Sequence, residues 1–196
     1  MTRIALVGNP NSGKTTVFNQ LTGTHQRVGN WPGVTVEKKS GHFDSAGTRY
    51  ELIDLPGTYS LDDTGSGIDE QIAREFLNSG SSEVIVNVID AAALSRALYL
   101  TNQLCGLGKP MVVVLNMVDV AERQGHTIDP AALARALGCP VIAMVASRGK
   151  GMAELFDAIG VARDTAQPPH TISASKEVAD VYAAIDTLLE SVIETH

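Results

Sequence analysis

Gly8-Asn9-Pro10-Asn11-Ser12-Gly13-Lys14-Thr15 fits the pattern G-x-x-x-x-G-K-[ST], between the apolar run Ile4–Val7 and a helix-forming stretch that includes Val17 to Leu21. That order is a physical demand. A strand delivers the chain to a point, glycines let the backbone curl round an anion, and the helix N-terminus behind it points its N–H groups inward. Lys14 then reaches the β- and γ-phosphate oxygens, and the Thr15 hydroxyl is a ligand for Mg²⁺. Such a loop reads as nucleoside triphosphate binding without saying which base.

The remaining pattern supports a parallel sheet. Short apolar runs (Val84–Ile89, Met111–Leu115, Pro140–Val145) alternate with amphipathic helical stretches at Ile68–Leu77, Leu94–Leu107, Pro130–Leu137 and Met152–Ile159, and Glu37–Phe43 and Thr48–Leu55 read as two further strands. Asp129 and Pro130 suit an N-cap and a first helical residue. Strands and helices in alternation imply βαβ units with helices on both faces. The turn Asp44-Ser45-Ala46-Gly47 makes Glu37–Leu55 a hairpin, which places one antiparallel strand in a sheet of six or seven. Past Gln167-Pro168-Pro169-His170, the residues Val178, Val181, Tyr182, Ile185, Leu188, Leu189 and Val192 recur at helical spacing. The expected division is a domain over 1–165, then a linker and one amphipathic helix over 166–196.

Three further elements fall at predicted strand ends. Asp54-Leu55-Pro56-Gly57 puts a carboxylate within reach of the same Mg²⁺, and the Gly57 amide where it can sense a γ-phosphate. Between that element and the phosphate loop, Gly33-Val34-Thr35 offers a threonine that can ligate Mg²⁺ and close over the nucleotide. After Met111–Leu115 comes Asn116-Met117-Val118-Asp119. An aspartate there accepts from the N1–H and exocyclic amine of guanine, a donor pair adenine lacks, and Asn116 ties the base loop to the phosphate loop. Val145-Ala146-Ser147, after the last strand, supplies a backbone N–H for guanine O6. Nucleotide contacts are thus expected from Gly8 to Thr16, Gly33 to Thr35, Asp54, Gly57, Asn116, Met117, Asp119 and Val145 to Ser147. An ATP-using kinase is disfavoured by Asn116 and Asp119.

Charge and composition narrow the partners. The 196 residues carry 15 Lys+Arg against 22 Asp+Glu, net −7, which argues against a nucleic-acid surface. No apolar run approaches the ~18–20 residues of a membrane span, and MTRIALVGNP is too poor in apolar residues for a signal peptide. Cys105 and Cys139 lack metal-type spacing and read as reduced core thiols. The chain therefore reads as soluble and facing the cytosol.

Taken together, the four elements resemble the Ras-like P-loop GTPases. The stretch Gln26-Arg27-Val28-Gly29-Asn30-Trp31-Pro32-Gly33-Val34-Thr35-Val36-Glu37, with Asp54-Leu55-Pro56-Gly57-Thr58-Tyr59-Ser60-Leu61 and Gly8 to Leu21, closely resembles the N-terminal G domain of the FeoB ferrous-iron transporters. The resemblance covers about residues 1–160. It implies an α/β Ras-like fold, mostly parallel with one antiparallel strand, plus a C-terminal helix. It further implies a GTP-hydrolysing head on the cytosolic face of a bacterial inner membrane, working with the transporter's own membrane domain on Fe²⁺. In that family a helical domain follows, so the last helix reads as a remnant of it and the chain as an excised head. A homo-oligomer is compatible with this reading.

Where fast GTPases carry glutamine after the glycine of this element, the chain has Thr58, so hydrolysis should be slow or rest on backbone groups. No arginine finger is evident, and Arg27 reads as a solvated loop residue. The resemblance implies that Asn11, with backbone carbonyls near Gly29 and Trp31, holds K⁺ against the phosphates, where a cation would do the work of an arginine finger. Lys14, Thr35, Gly57 and Asn11 are thus the catalytic candidates, and Thr15, Thr35, Asp54 and Asn11 the metal ligands. His25 and His42 lack partners at ligand spacing. Asp62-Asp63 and Asp69-Glu70 read as a solvated loop and an acidic helix start, and Trp31 as either a base-side aromatic or a loop anchor. Two alternatives stay open: a module that senses GTP against GDP with negligible turnover, and a Ras-like GTPase unconnected with iron. Residues 24–36 and 55–68 are the segments expected to answer to the γ-phosphate.

Overall fold

The computed structural model describes residues 1–63 and 67–195. In chain order the elements are β1 (Thr2–Gly8), α1 (Lys14–Thr22), β2 (Gln26–Asn30), β3 (Glu37–Ser45), β4 (Thr48–Asp54), α2 (Ile68–Asn78), β5 (Val84–Asp90), α3 (Leu94–Cys105), β6 (Met111–Asn116), α4 (Val118–Arg123), β7 (His126–Ile128), α5 (Pro130–Leu137), β8 (Val141–Ala143), α6 (Met152–Thr165), α7 (Val178–Val192) and β9 (Ile193–Thr195). Seven strands form one sheet in the order β2-β3-β4-β1-β5-β6-β8. Only β3 runs against the rest, paired antiparallel on both sides. Residues 64–66 fall inside the segment 55–68 expected to respond to nucleotide and lie outside the described residues.

The central strands are apolar on both faces because both faces are covered. Ile4, Leu6, Val86, Val88, Val112 and Val114 pack with Val17, Phe18 and Leu21 of α1 and with Leu155 and Ile159 of α6. The alternate residues Ala5, Val7, Ile85, Ile89, Val113 and Leu115 pack against α2, α3 and α5. Local signals set the helix ends. Asp129 caps α5, accepting from the N–H groups of Ala131 and Ala132 at 2.8 and 3.1 Å, and Glu70 accepts from the Gly67 N–H at the start of α2 at 2.8 Å. Such caps satisfy donors that the first helical turn leaves free.

The C-terminal segment lies on this body. His170 N–H donates to the Leu137 carbonyl at 2.7 Å, and Asn102 Oδ1 accepts from the N–H groups of Ile172 and Ser173 at 2.7 and 3.0 Å. Tyr182 of α7 stacks on Tyr99 of α3, centroids 5.1 Å apart and planes 9° from parallel. Val181, Ile185 and Val192 enter the α3/α5 side of the core, and β9 pairs antiparallel with β7.

Boundaries differ from expectation in a few places. The strand expected over 140–145 covers only Val141–Ala143, since the chain turns at Ala146–Arg148. The helix from Leu94 stops at Cys105, closed by a Gly108 N–H to Cys105 bond, and the helix from Met152 continues to Thr165. β2 was not foreseen as a strand, because only Val28 among its five residues is a large apolar side chain; its order comes from backbone pairing to β3. Cys105 and Cys139 are buried and free, as expected.

Candidate functional site

All four sequence elements emerge at the carboxyl ends of β1, β4, β6 and β8, around the point where the sheet order departs in two directions from β1. Open α/β sheets bind their ligands at such a crevice. The phosphate loop is folded by steric necessity. A Cβ on Gly8 would lie 2.5 Å from the Val88 carbonyl, and Gly13, at φ +88°, would push a Cβ to 2.1 Å from Asn116 Nδ2. Asn11 itself sits in the left-handed region at φ 64°.

Asn116 is the knot of the site. It is 3% exposed; its Nδ2 donates to the Ser12 carbonyl at 3.0 Å, and its Oδ1 accepts from the Ala146 N–H at 3.0 Å. One side chain thereby joins the phosphate loop, the end of β6 and the turn after β8. Met117, left-handed at φ 61°, swings the chain into α4, whose first turn carries Asp119. Arg123, one turn on, lies 3.6 Å from the Asp119 carboxylate. With Glu122 and Arg148 these two residues line a groove of about 350 Å³.

A second cavity of about 520 Å³ is lined by Asn9, Pro10, Asn11, Gly13, Lys14, Thr15, Gly57 and Met117, all expected, and by Asp69, which was not. Lys14 Nζ is in direct contact with the Asp54 carboxylate. Burial pushes the Asp54 carboxyl above its ordinary range, and the Lys14 ammonium beside it pulls the other way. Gly57 packs on Pro10, where its Cβ would come within 3.3 Å, and the next N–H, of Thr58, donates to the Gly8 carbonyl at 3.2 Å. Thr58 is turned inward, 1% exposed, its hydroxyl donating to the Ser60 carbonyl at 2.7 Å.

The segment holding Gly33, Val34 and Thr35 is not brought to this cavity. Gly33 and Thr35 are exposed and Val34 packs on the core. Trp31 explains the placement. Its side chain is buried, edge-on to Phe76 of α2 at 5.6 Å and 74°, with Lys38 Nζ 4.8 Å over the ring, and its backbone N–H donates to the Val36 carbonyl at 2.9 Å. It is therefore the loop anchor of the two readings. Thr16 is half-buried in α1, Val145 and Ala146 are buried, and Ser147 is exposed. His25 and His42 face each other across the β2–β3 start, rings 4.9 Å apart; among the described residues no group of three ligating side chains is placed to hold a metal. Asp69 and Arg123 were missed because both depend on helix placement, and only the i,i+4 spacing of Asp119 and Arg123 could have signalled the pair.

Fold and site together define a Ras-like P-loop nucleotide-binding domain. The family model described as "Ferrous iron transport protein B" matches residues 2–159, and the chain belongs to that family. It is 55% identical over 158 residues to the Fe(2+) transporter FeoB of Escherichia coli K12, an alignment covering 80% of this chain and 20% of the relative; the chain thus spans about a fifth of the curated relatives it matches. Among solved structures, the cytosolic domain of L. pneumophila FeoB aligns at TM-score 0.91 and 38% identity, over 99% of this chain and 100% of that one. A GDP-bound A143S mutant of the S. thermophilus FeoB G domain aligns at 0.86 and 32%, over 99% and 100%. The cytosolic domain of T. maritima FeoB in a GMPPNP form aligns at 0.88 and 27%, again over 99% and 100%. No helix among the described residues is long and apolar enough to cross a membrane.

Proposed function

We propose that this chain binds GTP and GDP and slowly hydrolyses GTP, as the nucleotide-dependent head of an Fe²⁺ transporter at the cytosolic face of a bacterial inner membrane. The observation that carries the reading is Asn116, bonded at once to the phosphate loop and to Ala146 beside the Asp119 turn. Such a knot suits one ligand that spans a phosphate site and a base site. The GDP and GMPPNP forms of the FeoB structures support the guanine assignment. Residues 1–165 form the G domain in this reading, with 166–196 an appended linker and helix, and the membrane domain and a second copy are its partners.

Lys14 and the loop amides hold the phosphates, and Asp119 reads guanine through two accepted hydrogen bonds. The Thr15 hydroxyl and the Asp54 carboxylate, the latter held against Lys14, are hard oxygen donors, a set that fits Mg²⁺; Thr35 completes it if its segment moves in. Bound there, Mg²⁺ would neutralise charge between the phosphates. Asn11 is exposed on the loop and free to take K⁺, which would add a second positive charge at the leaving oxygen. Gly57, which packs on Pro10 at the cavity wall, would offer its N–H to a γ-phosphate.

GTP turnover in KCl and in NaCl at equal ionic strength, with Mg²⁺ present, tests the reading. A severalfold gain in K⁺ that Asn11→Ala removes supports it. Equal rates in both salts remove the K⁺ role, and absent turnover with tight GDP binding leaves a sensing module.

A further inference from the structure

The antiparallel ladder between β3 and β4 sets Lys39 directly opposite Asp54, Phe43 opposite Tyr50 and Asp44 opposite Arg49. Opposite residues of such a ladder share a sheet face, with Cβ atoms about 4.5–5.5 Å apart. Two of these pairs are made. Phe43 and Tyr50 stack with centroids 5.0 Å apart, and Arg49 Nε donates to Asp44 at 3.1 Å. In the third, the ammonium and the carboxylate are each drawn elsewhere: Lys39 Nζ lies 3.1 Å from Glu37, and Asp54 is held by Lys14.

Glu37, two residues before Lys39, lies on the same face of its strand. Four charges of alternating sign therefore run in a row from the phosphate loop across the sheet: Lys14, Asp54, Lys39 and Glu37. Burial raises the Asp54 carboxyl most, Lys14 lowers it, and Lys39 is the next group to lower it, with Glu37 opposing. The two carboxylates differ in what they lose without a cation. Glu37 is 57% exposed and water satisfies it, so its pair with Lys39 is worth little. Asp54 is 11% exposed, and once phosphates draw Lys14 away its buried charge stands alone, which is costly. The flexible four-carbon stem of lysine spans the cross-strand distance.

We infer that Lys39 is the reserve counter-ion of Asp54: it leaves Glu37 for that carboxylate when nucleotide takes Lys14, and yields the carboxylate again to Mg²⁺. This rests on the nucleotide and Mg²⁺ reading above, and Lys39 is a positioning residue that acts through Asp54. Lys39 offsets part of the cost of binding nucleotide without the metal. It also competes with Mg²⁺ for Asp54, and so sets the concentration at which the metal site fills. Both effects act through one state, nucleotide-bound and metal-free, so linkage makes them equal in factor.

The test is calorimetry of GDP binding to the unaltered chain, Lys39→Met and Glu37→Gln, in EDTA and at stepped free Mg²⁺. Lys39→Met keeps the stem and removes the charge. It should bind GDP about three- to fivefold more weakly in EDTA, reach its Mg²⁺ midpoint at a concentration lower by the same factor, and match the unaltered chain once the metal saturates. Glu37→Gln frees Lys39 and should move both quantities the other way, by up to about threefold. A loss of GDP affinity in Lys39→Met that is equal with and without Mg²⁺ overturns the assignment, because a general attraction for phosphate or a folding defect acts in both. So do shifts of the same sign in the two variants, or no shift in Lys39→Met. A GDP affinity of the unaltered chain that Mg²⁺ leaves unchanged overturns the metal reading of Asp54, and absent GDP binding overturns the nucleotide reading; in either case the role of Lys39 falls with it.

Discussion

Lys14 and Asp54 hold each other at the floor of the phosphate loop, ammonium against carboxylate, each side chain 11% exposed. Triphosphate and Mg²⁺ each compete for one member of that pair. Binding either alone leaves a buried charge without its partner, a costly state, whereas binding both satisfies each. Asp54→Asn should therefore leave GDP affinity in EDTA equal or stronger, because Lys14 is released. The gain in affinity on adding Mg²⁺ should disappear. Calorimetry with and without the metal measures both.

Asn116→Ala removes two buried hydrogen bonds and strands the Ser12 carbonyl and the Ala146 N–H. With about 1–3 kcal/mol for each of the two stranded groups, denaturant unfolding should show a loss of roughly 2–6 kcal/mol. GDP affinity should fall by more than tenfold, since the phosphate and base loops lose their common tie.

Asp119→Asn exchanges an acceptor for a group that also donates. Guanine then loses its two-point partner while a xanthine carbonyl gains one. Competition binding should show preference moving from GTP toward xanthosine triphosphate. Unaltered base preference would remove Asp119 from the guanine site. Because Arg123 stands 3.6 Å from this carboxylate, Arg123→Ala should strengthen GDP binding slightly, by less than threefold, as an exposed ion pair is worth about 0–1 kcal/mol.

Burial pushes the Cys105 and Cys139 thiols from an ordinary value of 9.0 up to about 12. A folded-state pKa above the unfolded one means that the native chain holds protons the unfolded chain has lost. The stability is thus whole below about pH 9 and declines as pH rises toward 12. Unfolding free energy should fall with pH through that window, and Cys105→Ala should flatten the slope. At pH 8 a thiol reagent should label neither cysteine in the folded protein and both in denaturant.

The strand ends and their chemistry were legible because they are local. Ile4–Val7 and Met111–Leu115 announce buried strands, and Gly8 to Thr15 needs no distant partner to be read. The single antiparallel strand could be read from Asp44 to Gly47, where Ala46 and Gly47 take φ of 48° and 74°, the two positive values of a tight hairpin turn. What could not be read depends on distance or on a bound state. β7 and β9 are three residues each and order only by pairing with one another, His126 with Thr195. Thr35 is exposed because Trp31 is seated against Phe76, a contact between segments 45 positions apart in number.

The pairing of His126–Ile128 with Ile193–Thr195 has a mechanical consequence. The first strand begins seven residues after Asp119, at the end of the short helix carrying it, and the second is the last strand of the chain. Tension applied to the C-terminal strand would therefore be felt first at the base-reading turn, through one short helix, and only afterwards at the phosphates. Strand β9 is thereby geared to the turn that carries Asp119.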